Sequence, residues 1–416
     1  DWVVKMRRLP ATKSLESLIV SGQLTISQVD QLAKRLIDFY QQLPPVTAAV
    51  ASYRSEIESQ VLANRSELLC PEHRMTTAVV RRVHTAQLRM LFLAPDLLDE
   101  RVCDGRIVDG HGDLRPEHVY LLPAPTVIDC IEFNDRLRRL DVLDELGFLA
   151  MECDRLGTPW VGRRLLDLYF NISHDRPAVA LLDFYKCYRA CVRAKVLALR
   201  SEQMDAQGTK YARHVARDYM LLADRYASQL GPPWVIVIRG LSGTGKSTLA
   251  EALSERLGAE LLQTDKIRGE IFPQEPTGQG IDQGRYRPVC RDAVYNELIR
   301  RAKDLAEQGL SVILDGTFPA TESCARVVRL AKRLGAMPLI VRCYCSRQVA
   351  LRRIQERIAQ GRSLSEATVA TYEHQRQTEE PAPLNVSSVN VDSNDALPAM
   401  LDDVVARLRP MAGAWW

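Results

Sequence analysis

Apolar residues in the first hundred positions recur at three- and four-residue intervals: Leu15, Leu18 and Ile19, then Val29, Leu32, Leu36 and Ile37. That spacing lays one apolar stripe along a helix and predicts helices from about residue 11 to 100. Short strand-like runs then flank His111–Asp113 and Val127–Asp129. From Leu140 to Leu230 the helical period returns, with Arg189, Arg193 and Lys195 interleaved among the apolar positions. The chain opens on Asp1, and a strand-like Val3–Met6 follows at once, so it reads as cut at its N-terminus.

Gly231-Pro232-Pro233 breaks the helical pattern and is the best linker. Beyond it, strand and helix patterns alternate. Trp234–Ile238, Glu260–Thr264, Ser311–Leu314, Pro338–Tyr344 and Ser388–Val391 read as strands. Ser247–Leu257, Pro288–Glu307, Ser323–Leu334, an Arg-rich segment and a closing stretch read as helices. Pro288 sits where a first helical turn tolerates it. Alternation of this kind predicts a parallel sheet covered on both faces. Two domains are therefore expected, 1–230 and 234–416.

Composition adds little to this division. Of the 416 residues 46% are hydrophobic and 26% charged, and the net charge is +3. These values suit an ordinary globular protein, and without a strong basic stripe a nucleic-acid partner is not expected. No apolar stretch reaches the roughly 20 residues that span a bilayer, so no membrane partner is expected either. The ten cysteines offer no paired CxxC spacing for zinc. Cys343 with Cys345, and Cys187 with Cys191, fit one face of a strand and one turn of a helix, and a reducing cytoplasm is inferred.

The chemistry begins at Gly240-Leu-Ser242-Gly243-Thr244-Gly245-Lys246-Ser247-Thr248, which matches G-x-x-x-x-G-K-[ST] between a predicted strand and helix. Glycines let backbone amides turn inward on phosphates, and the following helix adds its positive dipole end. Lys246 would reach the β/γ-phosphates of ATP, and Ser247 would hold Mg²⁺. Val312-Ile313-Leu314-Asp315 is an apolar strand ending in an acid, placing Asp315 to hold the same ion. Asp265 also ends a predicted strand, where a carboxylate can take the proton of an attacking hydroxyl, with Arg268 one turn on to grip an anionic group. Arg347, Arg352, Arg353, Arg357 and Arg362 read as a lid over the transferring phosphoryl group, with Arg353 and Arg357 foremost. GLSGTGKST, TDKIR, VILDGTF and the Arg-rich run resemble small P-loop kinases such as gluconate kinase, chloramphenicol phosphotransferase and the kinase domain of polynucleotide kinase. The resemblance spans about 234 to 410 and implies a phosphoryl acceptor hydroxyl near Asp265.

In the first half, His111-Gly112-Asp113-Leu114-Arg115-Pro116-Glu117-His118 precedes Val127-Ile128-Asp129. Two acids on successive short strands can serve an acceptor hydroxyl and a metal separately. The pattern resembles the aminoglycoside phosphotransferase family, whose fold is that of protein kinases. By that resemblance Asp113 is the catalytic-loop acid and Asp129 a metal ligand. His118 stands where the family usually has Asn, and a neutral imidazole can also ligate a metal. Lys5 resembles the strand Lys that pairs the α/β-phosphates, with Glu16 as its helix partner. The glycine-rich strands expected before Lys5 are missing, so the N-lobe reads as truncated.

The order of the two halves resembles bacterial proteins described as bifunctional aminoglycoside phosphotransferase/ATP-binding proteins. The expectation is an α/β and α+β architecture: a kinase-like domain followed by a P-loop domain. Its expected activity is ATP- and Mg²⁺-dependent phosphoryl transfer to a small hydroxylated molecule. An ATP-binding regulatory protein without acceptor turnover is the alternative, and a nucleic-acid 5′-kinase a further one.

Overall fold

The computed structural model describes residues 8–274, 282–360 and 367–413. Lys5 and Arg362 lie outside the described residues. Those residues divide into two units, one built from 8–83 and 94–230, the other from 84–93 and 231–413.

The first unit realises the helical periodicity. Its helices are α1 (Leu15–Val20), α2 (Ile26–Gln42), α3 (Val50–Leu68), α4 (Thr77–Leu93, whose last residues, 84–93, belong to the second unit) and α5 (Asp96–Cys103). Thr25 starts α2 with a reciprocal capping box to Gln28. Two short antiparallel pairs follow: β1 (Ile107–Asp109) with β4 (Arg139–Asp141), and β2 (Val119–Tyr120) with β3 (Thr126–Val127). Four helices close the unit, namely α6 (Val142–Arg155), α7 (Pro159–Ser173), α8 (Val179–Ser201) and α9 (Ala206–Gln229).

Helix α6 is buried from Val142 to Cys153 although it carries Asp144, Glu145 and Glu152. Each acid has a partner, as buried charge requires. Arg189 donates to both oxygens of Asp144 at 2.7 and 2.6 Å. The Tyr40 hydroxyl donates to Glu145 at 2.8 Å, and the Tyr219 hydroxyl to Glu152 at 2.7 Å. Arg101 forks between Asp141, at 2.7 Å from both Nε and Nη2, and Asp175. Tyr185 and Tyr169 complete that buried set through Asp141 and Asp175.

The second unit is a five-stranded parallel sheet of order β6-β7-β5-β8-β9. Its strands are β5 (Trp234–Arg239), β6 (Glu260–Gln263), β7 (Val312–Asp315), β8 (Met337–Tyr344) and β9 (Ser388–Asp392). The helices between and after them are α10 (Lys246–Leu257), α11 (Thr264–Ile271), α12 (Pro288–Glu307), α13 (Thr321–Arg333), α14 (Arg347–Gln360), α15 (Val369–Thr378) and α16 (Leu397–Ala412). Every residue of β5 and β7 is buried, because helices cover both faces of a parallel sheet. The expected strand–helix alternation is therefore present, with α12 coinciding with the predicted span. One element differs. Thr264 and Asp265 do not end a strand; they open α11, with Asp265 in its first turn. Cys343 is buried within β8, whereas Cys345 lies past the strand's end. No described helix is long and apolar enough to cross a membrane.

Candidate active site

The turn after β5 is shaped by glycine. Gly240 has φ +142°, and a Cβ there would lie 2.2 Å from the Cys343 carbonyl oxygen, so no side chain fits. Gly243, at φ +80°, faces the Ala350 carbonyl oxygen at 2.6 Å from its would-be Cβ. The loop thus runs tight against β8 and α14 and delivers the chain into α10. The N-cap of α10, Gly245, provides no side-chain acceptor for the first amides of the helix. Those unsatisfied donors and the helix dipole make an anion site.

Lys246 lies nearly buried and its Nζ donates to the Leu241 carbonyl at 2.8 Å. Thr244 closes the turn through its hydroxyl, which donates to the same carbonyl at 2.7 Å. The Ser242 amide donates to Gln375 Oε1 on α15 at 2.9 Å, so a side-chain amide oxygen occupies a position suited to a phosphate oxygen.

Across the crevice, Ser247 Oγ donates to Asp315 Oδ2 at 2.7 Å, and Gln263 Nε2 donates to the same oxygen at 3.2 Å. Adjacent parallel strands β6 and β7 place Gln263 opposite Asp315 in register. Burial pushes the Asp315 carboxyl above its usual range, against the opposing pull of Lys246 and the two hydrogen bonds.

A cleft of about 880 Å³ opens at the C-terminal ends of the strands, where open α/β sheets bind ligands. Ser242, Gly243, Gly245, Lys246, Ser247, Thr248, Asp265, Arg268, Asp315, Arg353 and Arg357 all line it, whereas Gly240 and Thr244 do not. Arg268 is ion-paired to Asp265 and sits over the Tyr286 ring at 4.5 Å. Its Nε is buried with no hydrogen-bond partner among the described residues. Arg353 donates to the hydroxyl and carbonyl of Ser393 at 3.0 and 2.7 Å. Arg357 donates to the Ala367 carbonyl at 3.1 Å, and burial lowers its pKa. Of the described arginines in the Arg-rich run only Arg353 and Arg357 face the cleft. Arg347 pairs with Glu373 and Arg352 with Glu356, both exposed.

Sequence reading did not identify Gln263, Tyr286, Gln375 or Arg239 as part of this region. Arg239, at the end of β5, is fully buried and donates to the Glu380 carbonyl at 2.6 Å. Gln263 could have been found as the last residue before the Thr264-Asp265 pair. Gln375 carried no local signal, because its partner Ser242 lies 133 positions away.

In the first unit, the two antiparallel pairs bring Asp113, His118 and Asp129 together. His118 Nδ1 donates to the Asp113 carbonyl at 2.9 Å. Nε2 lies 3.3 Å from Asp129 Oδ2 and 3.3 Å from Arg115 Nη2. Arg115 Nε lies 3.3 Å from Asp113 Oδ2. Asp129 is exposed and holds φ +66°, an uncommon backbone for a residue with a side chain. His111 donates from Nε2 to the Ile128 carbonyl at 2.8 Å and accepts the Asp113 amide at Nδ1, which joins the two loops. The Gly112 amide is held by Glu145 at 2.6 Å. Glu16 lies 4.0 Å from Arg155, an acid–base contact that sequence reading did not expect.

A family model described as "AAA domain" matches residues 235–382. The sequence is 33% identical over 393 residues to "Uncharacterized protein Rv2004c" of Mycobacterium tuberculosis, covering 91% of this chain and 76% of that protein. It is also 33% identical over 156 residues to a shikimate kinase of Thermobifida fusca, covering 33% of this chain and 86% of that enzyme. Among solved structures, a gluconokinase from Sinorhizobium meliloti aligns at 20% identity and TM-score 0.33, over 44% of this chain and 95% of its own. The match to the mycobacterial protein runs through both units, and the P-loop geometry is confined to the second. The chain belongs to the family of the M. tuberculosis protein Rv2004c, and its C-terminal part is a P-loop, kinase-like α/β domain.

Proposed function

We propose that the C-terminal domain is an ATP- and Mg²⁺-dependent phosphotransferase acting on a hydroxyl group of a small molecule. The observation that carries this reading is the convergence on one cleft of Lys246, the Ser247–Asp315 pair, Asp265, Arg268, Arg353 and Arg357. The residues fit both groups. The glycine cradle and the uncapped start of α10 suit ATP phosphates. The Ser247 hydroxyl and the buried Asp315 carboxylate suit a hard, oxygen-seeking cation. Mg²⁺ bound there would neutralise charge on the phosphates.

In this reading Lys246 exchanges the Leu241 carbonyl for phosphate oxygens, and the Ser242 amide exchanges Gln375 Oε1 for another. Asp265, fixed by its ion pair with Arg268, accepts the proton of the acceptor hydroxyl. Arg268 has a free Nε for an anionic group on the acceptor, and Arg353 and Arg357 stabilise charge on the transferring phosphoryl group. Similarity to a shikimate kinase supports a small acceptor over a regulatory role without turnover.

The first unit is read as a kinase-like domain resembling the aminoglycoside phosphotransferases. Asp113 would serve as its catalytic-loop aspartate, with Asp129 and His118 Nε2, 3.3 Å apart, as metal ligands. Lys5 would complete its nucleotide site. Titration of the full chain with ATP and Mg²⁺ tests the assignment at the P-loop. Lys246→Ala should remove the binding component that belongs to the second unit, and an unchanged isotherm would overturn it.

A further inference from the structure

Within the first unit, the end of α3 and the end of α8 are joined by a cluster that shares no residue with either candidate centre. Glu67 lies in the last turn of α3. Cys70 precedes a short 3₁₀ turn that ends at His73, and Glu202 caps the C-terminus of α8. One ligand atom from each of Glu67, Cys70 and His73 falls within 4.8 Å of the others. His73 Nδ1 lies 3.6 Å from Glu202 Oε1.

The decisive feature is His73. Its side chain is only 1% exposed, yet Nδ1 has no hydrogen-bond partner among the described residues. The other nitrogen, Nε2, lies 2.6 Å from Glu67 Oε1. A carboxylate on one ring nitrogen fixes the tautomer and raises the basicity of the other, the arrangement that supports metal-bound histidines. Leaving a buried nitrogen unpaired is unfavourable, and a cation would satisfy it. The 3.6 Å between Nδ1 and Glu202 Oε1 is close to the roughly 3.3 Å expected between two ligands held tetrahedrally at about 2.0 Å from zinc.

Electrostatics point the same way. The Cys70 sulfur lies within the field of Glu67, Glu72 and Glu202, so a bound divalent cation would meet negative charge already in place. Lys195 on α8 interacts with Glu67. Thiolate, imidazole and carboxylate together are a donor set for zinc rather than for magnesium or calcium.

We infer that Cys70, His73 and Glu202, buttressed by Glu67, form a structural site for a thiophilic divalent cation of the zinc class. Such an ion would clip the C-terminal end of α3 to that of α8. It is separate from the Mg²⁺ proposed at Ser247 and Asp315.

Cobalt(II) reports such a site, because thiolate ligation gives a charge-transfer band in the near ultraviolet. The full chain, stripped with chelator, is titrated with Co²⁺ and then displaced with Zn²⁺. The expected result is a band saturating at one equivalent and bleached by Zn²⁺. The band should be kept in Cys103→Ser, which removes an exposed thiol elsewhere, and lost in Cys70→Ser. Glu202→Gln should weaken binding by about 10- to 100-fold. Circular dichroism confirms that each variant keeps the parent's helix content before titration. Absence of a saturable band in the parent, its survival in Cys70→Ser, or unchanged affinity in Glu202→Gln each contradicts the site.

Discussion

Ser247 Oγ donates to Asp315 Oδ2 at 2.7 Å, tying the first turn of α10 to the tip of β7. This contact joins two motifs 68 positions apart and sets the place where the proposed Mg²⁺ would bind. In the free protein the arrangement has a cost, because burial raises the Asp315 pKa. A carboxyl raised on folding stabilises the fold below its unfolded pKa, near 4, and loses that contribution as pH rises through the folded value. Asp315→Asn should therefore raise the melting temperature of the nucleotide-free protein at neutral pH, with the gain shrinking toward pH 4. The same variant should bind ATP with Mg²⁺ at least about 10-fold more weakly, since a charged ligand is lost. Scanning calorimetry across pH and a parallel ATP titration check both directions.

Gln375 occupies the Ser242 amide in the absence of nucleotide. A phosphate must displace that bond, worth about 1 kcal/mol net. Gln375→Ala should therefore tighten ATP binding by roughly 5-fold, visible by calorimetric titration. Weaker binding would mean that Gln375 contacts the bound nucleotide instead of competing with it.

Arg101 is a structural residue by the same reasoning. Its guanidinium sits buried between Asp141 and Asp175. Arg101→Met leaves two buried carboxylates without their counter-charge and should cost about 3–5 kcal/mol. Breaking the exposed Arg139–Asp135 pair should cost under about 1 kcal/mol. Urea unfolding of the two variants separates these values.

The P-loop half was legible because its chemistry is local. Gly240 to Thr248 is a contiguous motif, and the runs around Val235 and Ile313 are too apolar for anything but a covered strand. The start of α11 was misjudged, since Leu261-Leu262-Gln263 reads as a strand and nothing before Asp265 signals a stop one residue earlier. Helix α6 shows the opposite limit. Its acids suggest an exposed face, and only partners such as Arg189 and Tyr219, far along the chain, let it be buried. The one-turn spacing of Arg353 and Arg357 did single out the two described lid arginines that line the cleft, but it gave no sign of Ser393, the partner of Arg353 40 positions on.

The central claim is that Asp265 serves phosphoryl transfer in the P-loop cleft. The most direct test incubates the full chain with ATP, Mg²⁺ and a mixture of hydroxylated metabolites and aminoglycosides, and identifies products by mass spectrometry. The account predicts a phosphorylated small molecule whose formation falls by about 10²- to 10⁴-fold in Asp265→Asn, while ATP binding is kept and Asp113→Asn leaves that product unaffected. Undiminished product in Asp265→Asn, or its loss in Asp113→Asn alone, would contradict the account.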